Sequence, residues 1–193
     1  MVSEAQDVLD FWFLAEGHAG HNARRDVWFK KDDAFDASIR TRFGTLVERA
    51  LSGASTSWTG TKDGALALII VLDQFTRNAF RDTPRAFAGD SQALILARNL
   101  VASGAGRALP GVRRLFVYLP FEHAENLETQ NESLRLFQGL AKDEPPLADL
   151  LIWAERHHAI VARFGRFPHR NAILGRVSTP EEEAFLREPG SSF

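Results

Sequence analysis

At 193 residues, with 45% hydrophobic and 25% charged side chains, the chain has the composition of an ordinary globular protein and the length of one domain, expected over residues 1–193. Its formal net charge of -2 argues against a nucleic-acid footprint. There is no cysteine, which excludes disulfides, thiolate nucleophiles and every cysteine-held zinc or iron–sulfur centre.

Ser3 followed by Gln6 has the form of a capping box opening a first helix, in which Val8, Phe11 and Trp12 recur at helical spacing. Asp32 or Asp33 caps a second helix with one apolar stripe, Phe35, Ile39, Phe43, Leu46, Val47 and Ala50, closed by Gly53. Thr61 caps a third. Its segment Ala65 to Leu72 is apolar on every side, which marks a helix surrounded by protein and places it at the centre of the fold. Thr83-Pro84 and Asp90 are successive helix starts, the second leading to a stop at Gly104. Pro110 opens another helix, expected to break near Pro120; Leu127 to Leu140 is again amphipathic, and Pro145-Pro146 begin a long helix to Arg163 with Gly165 as its cap. Thr179-Pro180-Glu181-Glu182 starts a last short helix. No stretch alternates with period two, so the expected class is all-α, about seven or eight helices in antiparallel hairpins.

The N-terminus carries acids where a signal peptide carries bases, and the longest apolar run falls far short of the roughly 20 residues of a membrane span. A cytoplasmic chain without membrane or nucleic-acid partners is expected. The charges are ordered: Ser91 to Phe121 has no acid, Glu122 to Glu155 is mainly acidic, and Arg156 to Arg176 is mainly basic. Lysine supplies only four of the 23 cationic residues, and arginine's planar fork suits bidentate pairing with carboxylate or phosphate.

Three constellations carry chemistry. Asp73, Arg77 and Arg81 fall at i, i+4 and i+8 if the third helix continues, a carboxylate followed by two guanidiniums on one face with Asn78 beside them. They form either a self-satisfied pair where the helix leaves the core or an anion clamp. Glu122, His123 and Glu125 follow Pro120, which assigns them to the first turn of a helix, where carboxylates favour free backbone amides. His123 also serves as a possible acid or base; a metal reading would need Glu155, His157 or His158 to join it, and no metal or other cofactor is expected. Arg163 to Asn171 gathers Arg163, Arg166, His169, Arg170 and Asn171 around two phenylalanines, Phe164 and Phe167, without a carboxylate. Such a segment either caps the end of the long helix or presents an anion site. Phosphate-binding glycine loops, serine-hydrolase elbows and zinc-protease motifs are absent from the sequence.

Three strings, Leu72-Asp73-Gln74-Phe75-Thr76-Arg77-Asn78, Tyr118-Leu119-Pro120-Phe121-Glu122-His123-Ala124-Glu125 and Arg163-Phe164-Gly165-Arg166-Phe167-Pro168-His169-Arg170-Asn171, resemble the signature blocks of the domain of unknown function 924 family. Trp28-Phe29 and Ser178-Thr179-Pro180-Glu181-Glu182 fit the same pattern. The resemblance covers nearly the whole chain and implies a helical-hairpin fold related to tetratricopeptide repeats, without an established activity. Ala124 departs from the serine usual in the family's second block, which weakens any scheme that needs a hydroxyl there.

The first expectation is a binding module that holds a small anion or an acidic peptide in an Arg- and His-lined groove. Its residues are Asp73, Arg77, Asn78, Arg81, His123, Glu125, Arg163, Arg166, His169, Arg170 and Asn171. The second is a small-molecule hydrolase or lyase that uses His123 or His169 as general acid or base. The third is a purely structural polar network without a ligand. All three require the distant strings to meet in space.

Overall fold

The computed structural model describes residues 3–54 and 56–192; Met1 and Val2, the first residues of the segment weighed as a leader, lie outside them. The described residues form eight helices and no strand: α1 (Glu4–Phe13), α2 (Asp33–Leu51), α3, α4 (Asp90–Ala102), α5 (Gly111–Glu122), α6 (Leu127–Asp143), α7 (Leu151–Phe164) and α8 (Pro180–Phe185). α3 is one continuous run in three parts, α-helical over Lys62–Ile69, π-helical over Ile70–Phe75 and α-helical again over Thr76–Ala79. No helix is long and apolar enough to cross a membrane among these residues.

Capping follows the polar residues that precede each apolar run. Asp32 accepts from the amides of Ala34 and Phe35, Thr61 from Gly64, Asn126 from Thr129, and Thr179 with Glu182 closes a complete capping box. At α1 only half of the expected box forms: Ser3 accepts from the Gln6 amide, but the Gln6 side chain turns outward to Asp10. α4 begins at Asp90 with Gly89 before it, and Pro145-Pro146 start a short 3-10 turn, Pro145–Leu150, with the α-helix following at Leu151.

α3 is central, as its all-round apolarity requires. Every residue from Ala65 to Leu72 is buried, and the helix packs against α1, α2, α4 and α5. α5, α6 and α7 then pack in succession. At the N-terminal side an aromatic cluster fills the core: the Trp12 ring lies 5.4–5.9 Å from those of Trp28, Phe35, Phe75 and Phe116. A smaller apolar group, Ile160, Val161 and Phe167 with Phe164 and Phe185, seats α8 and the preceding loop against α7.

The expected break at Pro120 does not occur, because α5 runs through it to Glu122. Proline lacks the N–H that would bond the Phe116 carbonyl, yet every position of α5 other than Arg113 is buried, so packing on four neighbouring helices holds the helical path. Glu122 therefore ends a helix, and the next does not start until Leu127.

Candidate functional site

The π turn of α3 sets the geometry at Asp73. Widening the helix changes which side chains meet, and the carbonyls of Leu72 and Asp73 are taken by side chains below them: Thr76 Oγ1 donates to Leu72 O at 2.7 Å and Arg77 Nη1 to Asp73 O at 2.6 Å. Gly89, just before α4, lies so close that a Cβ there would sit 2.1 Å from Leu72 O. The Asp73 carboxylate is fully buried; its Oδ1 lies 2.7 Å from His123 Nδ1 and 3.3 Å from Arg77 Nη1, and its Oδ2 accepts from Gln74 Nε2 at 2.5 Å. Burial alone pushes this carboxyl up, but the charge of Arg77 and the hydrogen bonds from His123 and Gln74 outweigh it and hold Asp73 well below the usual carboxylate range.

Arg77 reaches on to Asp90 at the start of α4 through a bidentate pair of 2.8 and 3.1 Å. Among the described residues Asp90 is in turn the one polar contact of Arg170, whose Nη1 lies 3.4 Å from Asp90 Oδ2. Gly165, in the left-handed region at φ +70°, ends α7; Phe167 is buried, and the 3-10 turn Pro168–Arg170 aims Arg170 inward. Its guanidinium is sandwiched between Phe87 and Phe167, each centroid 4.6 Å away. Its Nε is buried without a hydrogen-bond partner. Burial and the charge of Arg77 lower the Arg170 guanidinium to about 10, which leaves it cationic at neutral pH.

His123 caps α5, and Gln130 of α6 fixes that end by donating its Nε2 to the carbonyls of Glu122 and Ala124 at 2.7 and 2.8 Å. Beside it, Glu122 is buried with Oε1 3.3 Å from His157 Nδ1 and Oε2 without a partner. The sequence reading placed Glu122 and His123 in a first turn. The structure reverses this, setting Glu122 where helix carbonyls carry partial negative charge. Burial and the nearby Asp73 push Glu122 up to about 8, so it is a neutral acid at pH 7. His157 is held down to about 3 by burial and by His123, and burial together with Arg77 also lowers His123.

The remaining predicted site residues lie in other clusters. The i, i+4, i+8 face fails because α3 is not α-helical throughout and ends at Ala79; Arg81 and Asn78 instead bond Asp36 of α2, Arg81 bidentately at 2.8 and 3.0 Å. Glu125 accepts from the Phe167 amide at 2.7 Å and from Arg176 at 2.6 and 2.9 Å. Arg176 also bonds Asn171, whose amide reaches Ser178 and Glu182. Arg166 forms a bidentate pair with Glu182 at 2.7 and 2.8 Å, and exposed Arg163 meets Glu181. Arg163 and Arg166 thus bond α8 and Val177 rather than the carbonyls that end α7. His169 packs against the Phe167 ring at 5.7 Å, and burial and Arg170 hold it down to about 4. Of the metal partners considered, Glu155 is exposed and His158 meets Asn131; no group of three His, Asp or Glu side chains is arranged for a metal among the described residues.

One cluster therefore unites Asp73, Arg77, His123 and Arg170 from the three strings, with Asp90, Glu122 and His157 added. Asp90 was read only as a helix start and Glu182 only as a capping acid, and nothing in a linear sequence says which arginine a carboxylate will face. Arg176 carried a weak signal as the last base of the basic block. Chemically the Asp73–His123 pair fixes one imidazole nitrogen, and two guanidiniums share a carboxylate next to it.

These features define an all-helical protein whose α3, α5 and post-α7 loop meet at a buried Asp–His–Arg cluster. Residues 8–190 match the family described as bacterial protein of unknown function, DUF924, and the chain belongs to that family. A solved structure of a protein of unknown function from Agrobacterium tumefaciens, ATU0120, is similar at 40% identity and a TM-score of 0.82, over 95% of this chain and 96% of that one. No curated protein matches.

Proposed function

We propose that the chain binds a small anionic molecule at the Asp73–His123–Arg77–Asp90–Arg170 cluster. The observation that carries this reading is the state of Arg170. Arg77, Arg81, Arg166 and Arg176 each hold a carboxylate at 3.1 Å or less. Among the described residues Arg170 has only the 3.4 Å contact and an unbonded Nε, although 7% of its side chain is accessible. A buried guanidinium with donors to spare is costly unless something accepts from it. The small accessible fractions of Arg77, Asp90 and His123, 20, 21 and 14%, favour a molecule of a few heavy atoms over an acidic peptide. The other arginines act as internal struts, so the anion reading contracts to one guanidinium supported by a second.

A second reading is favoured by the Asp73–His123 bond, which orients an imidazole as a general base requires. Calorimetric titration with acetate and inorganic phosphate tests the binding reading. Wild-type protein is expected to bind at least one of them, and Arg170→Met to weaken that binding about tenfold or more. An equal loss in the surface variant Arg163→Ala, or no binding by wild type, counts against it.

A further inference from the structure

The protonation pattern around His123 narrows the anion to one chemical class, an inference that rests on the reading just given. Asp73 Oδ1, 2.7 Å from His123 Nδ1, belongs to an ionised carboxylate and can only accept, so Nδ1 carries the hydrogen. In a neutral imidazole Nε2 is then a lone pair. Burial and Arg77 both favour that neutral form. No hydrogen bond engages Nε2 among the described residues, and 14% of the side chain is accessible. Whatever lies against Nε2 must therefore donate. Acetate brings only acceptors at neutral pH; phosphate brings P–OH donors in both its forms, two on the monoanion and one on the dianion, so it is disfavoured only by the charge of the dianion.

Charge adds a second restriction. Arg77 and Arg170 are matched by Asp73 and Asp90, so a monoanion leaves the cluster one negative charge in excess and a dianion leaves two. A third restriction is reach. Asp73 Oδ1 touches both His123 and Arg77, and Asp90 touches both Arg77 and Arg170, so the imidazole and the under-bonded guanidinium belong to one chain of contacts that runs through Asp73, Arg77 and Asp90. We infer that the ligand is a small monocarboxylate with a hydrogen-bond donor, hydroxyl or ammonium, beside its carboxylate: the carboxylate meets Arg170 and the donor meets Nε2 of His123.

Propanoate, lactate, L-alanine and inorganic phosphate, titrated separately into the full chain, test this. Lactate or L-alanine is expected to bind about tenfold or more tightly than propanoate, since one acceptor is otherwise left unpaired, and whichever of the two does so identifies the donor. Phosphate is expected to bind more weakly than the favoured acid. In His123→Phe the advantage over propanoate disappears. Nitrogen NMR of the imidazole gives a readout that needs no variant: the preferred acid shifts Nε2 and propanoate does not. Equal binding of propanoate, lactate and L-alanine, or preference for phosphate, overturns this ligand class and leaves the anion site standing. Absence of binding by all four overturns both.

Discussion

Asp73 orients two partners at once, so changing it disturbs both. Asp73→Asn keeps the size of the side chain but removes the charge that faces Arg77 and turns one of the two acceptor oxygens, which serve His123 and Gln74, into a donor. A loss of about 2–4 kcal/mol in urea-unfolding stability is expected, since breaking a buried pair from one side strands the other. Glu122 shows the opposite behaviour. Its folded carboxyl keeps a proton up to about 8, whereas the unfolded carboxyl releases it near its ordinary value of 4.5. Between those values the folded state binds more protons, so stability falls as pH rises through the window and levels off above it. His157 and His169, held down to about 3 and about 4, bind fewer protons when folded, so stability falls again as pH drops below about 6.5. Thermal melts of Glu122→Gln are expected to lose most of the decline on the alkaline side while the acidic limb persists. A parallel decline in variant and wild type would show that Glu122 is ionised in the fold. At this scale the sequence revealed which residues were unusual, Asp73, His123 and Arg170 among them, but not their states of charge, which depend on neighbours up to 80 positions away.

The elements were largely legible, because caps and apolar spacing act locally. Asp32, Thr61 and Thr179 precede their helices, and α3 is buried as its unbroken apolar run demands. The π turn was not legible for the same reason: a stretch apolar on all sides has no polar face to betray a change of register. Pro120 misled because a local rule yielded to burial on several sides. The backbone contact at the π turn is open to test. Gly89→Ala would place a methyl 2.1 Å from Leu72 O, with no flexible side chain to yield, so a loss of more than about 2 kcal/mol is expected by denaturant unfolding. The same substitution at Gly139, where a Cβ meets nothing within 4 Å, should be tolerated.

Across the whole molecule, two polar networks meet at the loop after α7. One runs inward through Arg170 to Asp90 and Asp73; the other runs outward from Glu125 through Arg176, Asn171 and Glu182. Removing Glu182 deletes the acceptor of Arg166 and the reciprocal half of the α8 cap together. For Glu182→Ala, hydrogen exchange is expected to accelerate about tenfold or more over residues 166–185 while α3 keeps its protection, the pattern of a local rather than global opening. The sequence displayed the opposite charge blocks that build these networks, but their pairing belongs to the folded chain alone.

Arg176 and Glu182 fasten a loop that precedes them in the chain. The turn that carries Arg170 is therefore held from both sides, by α7 before it and by Arg176 and α8 after it, so a change that loosens α8 also loosens the seat of the guanidinium beside Asp90.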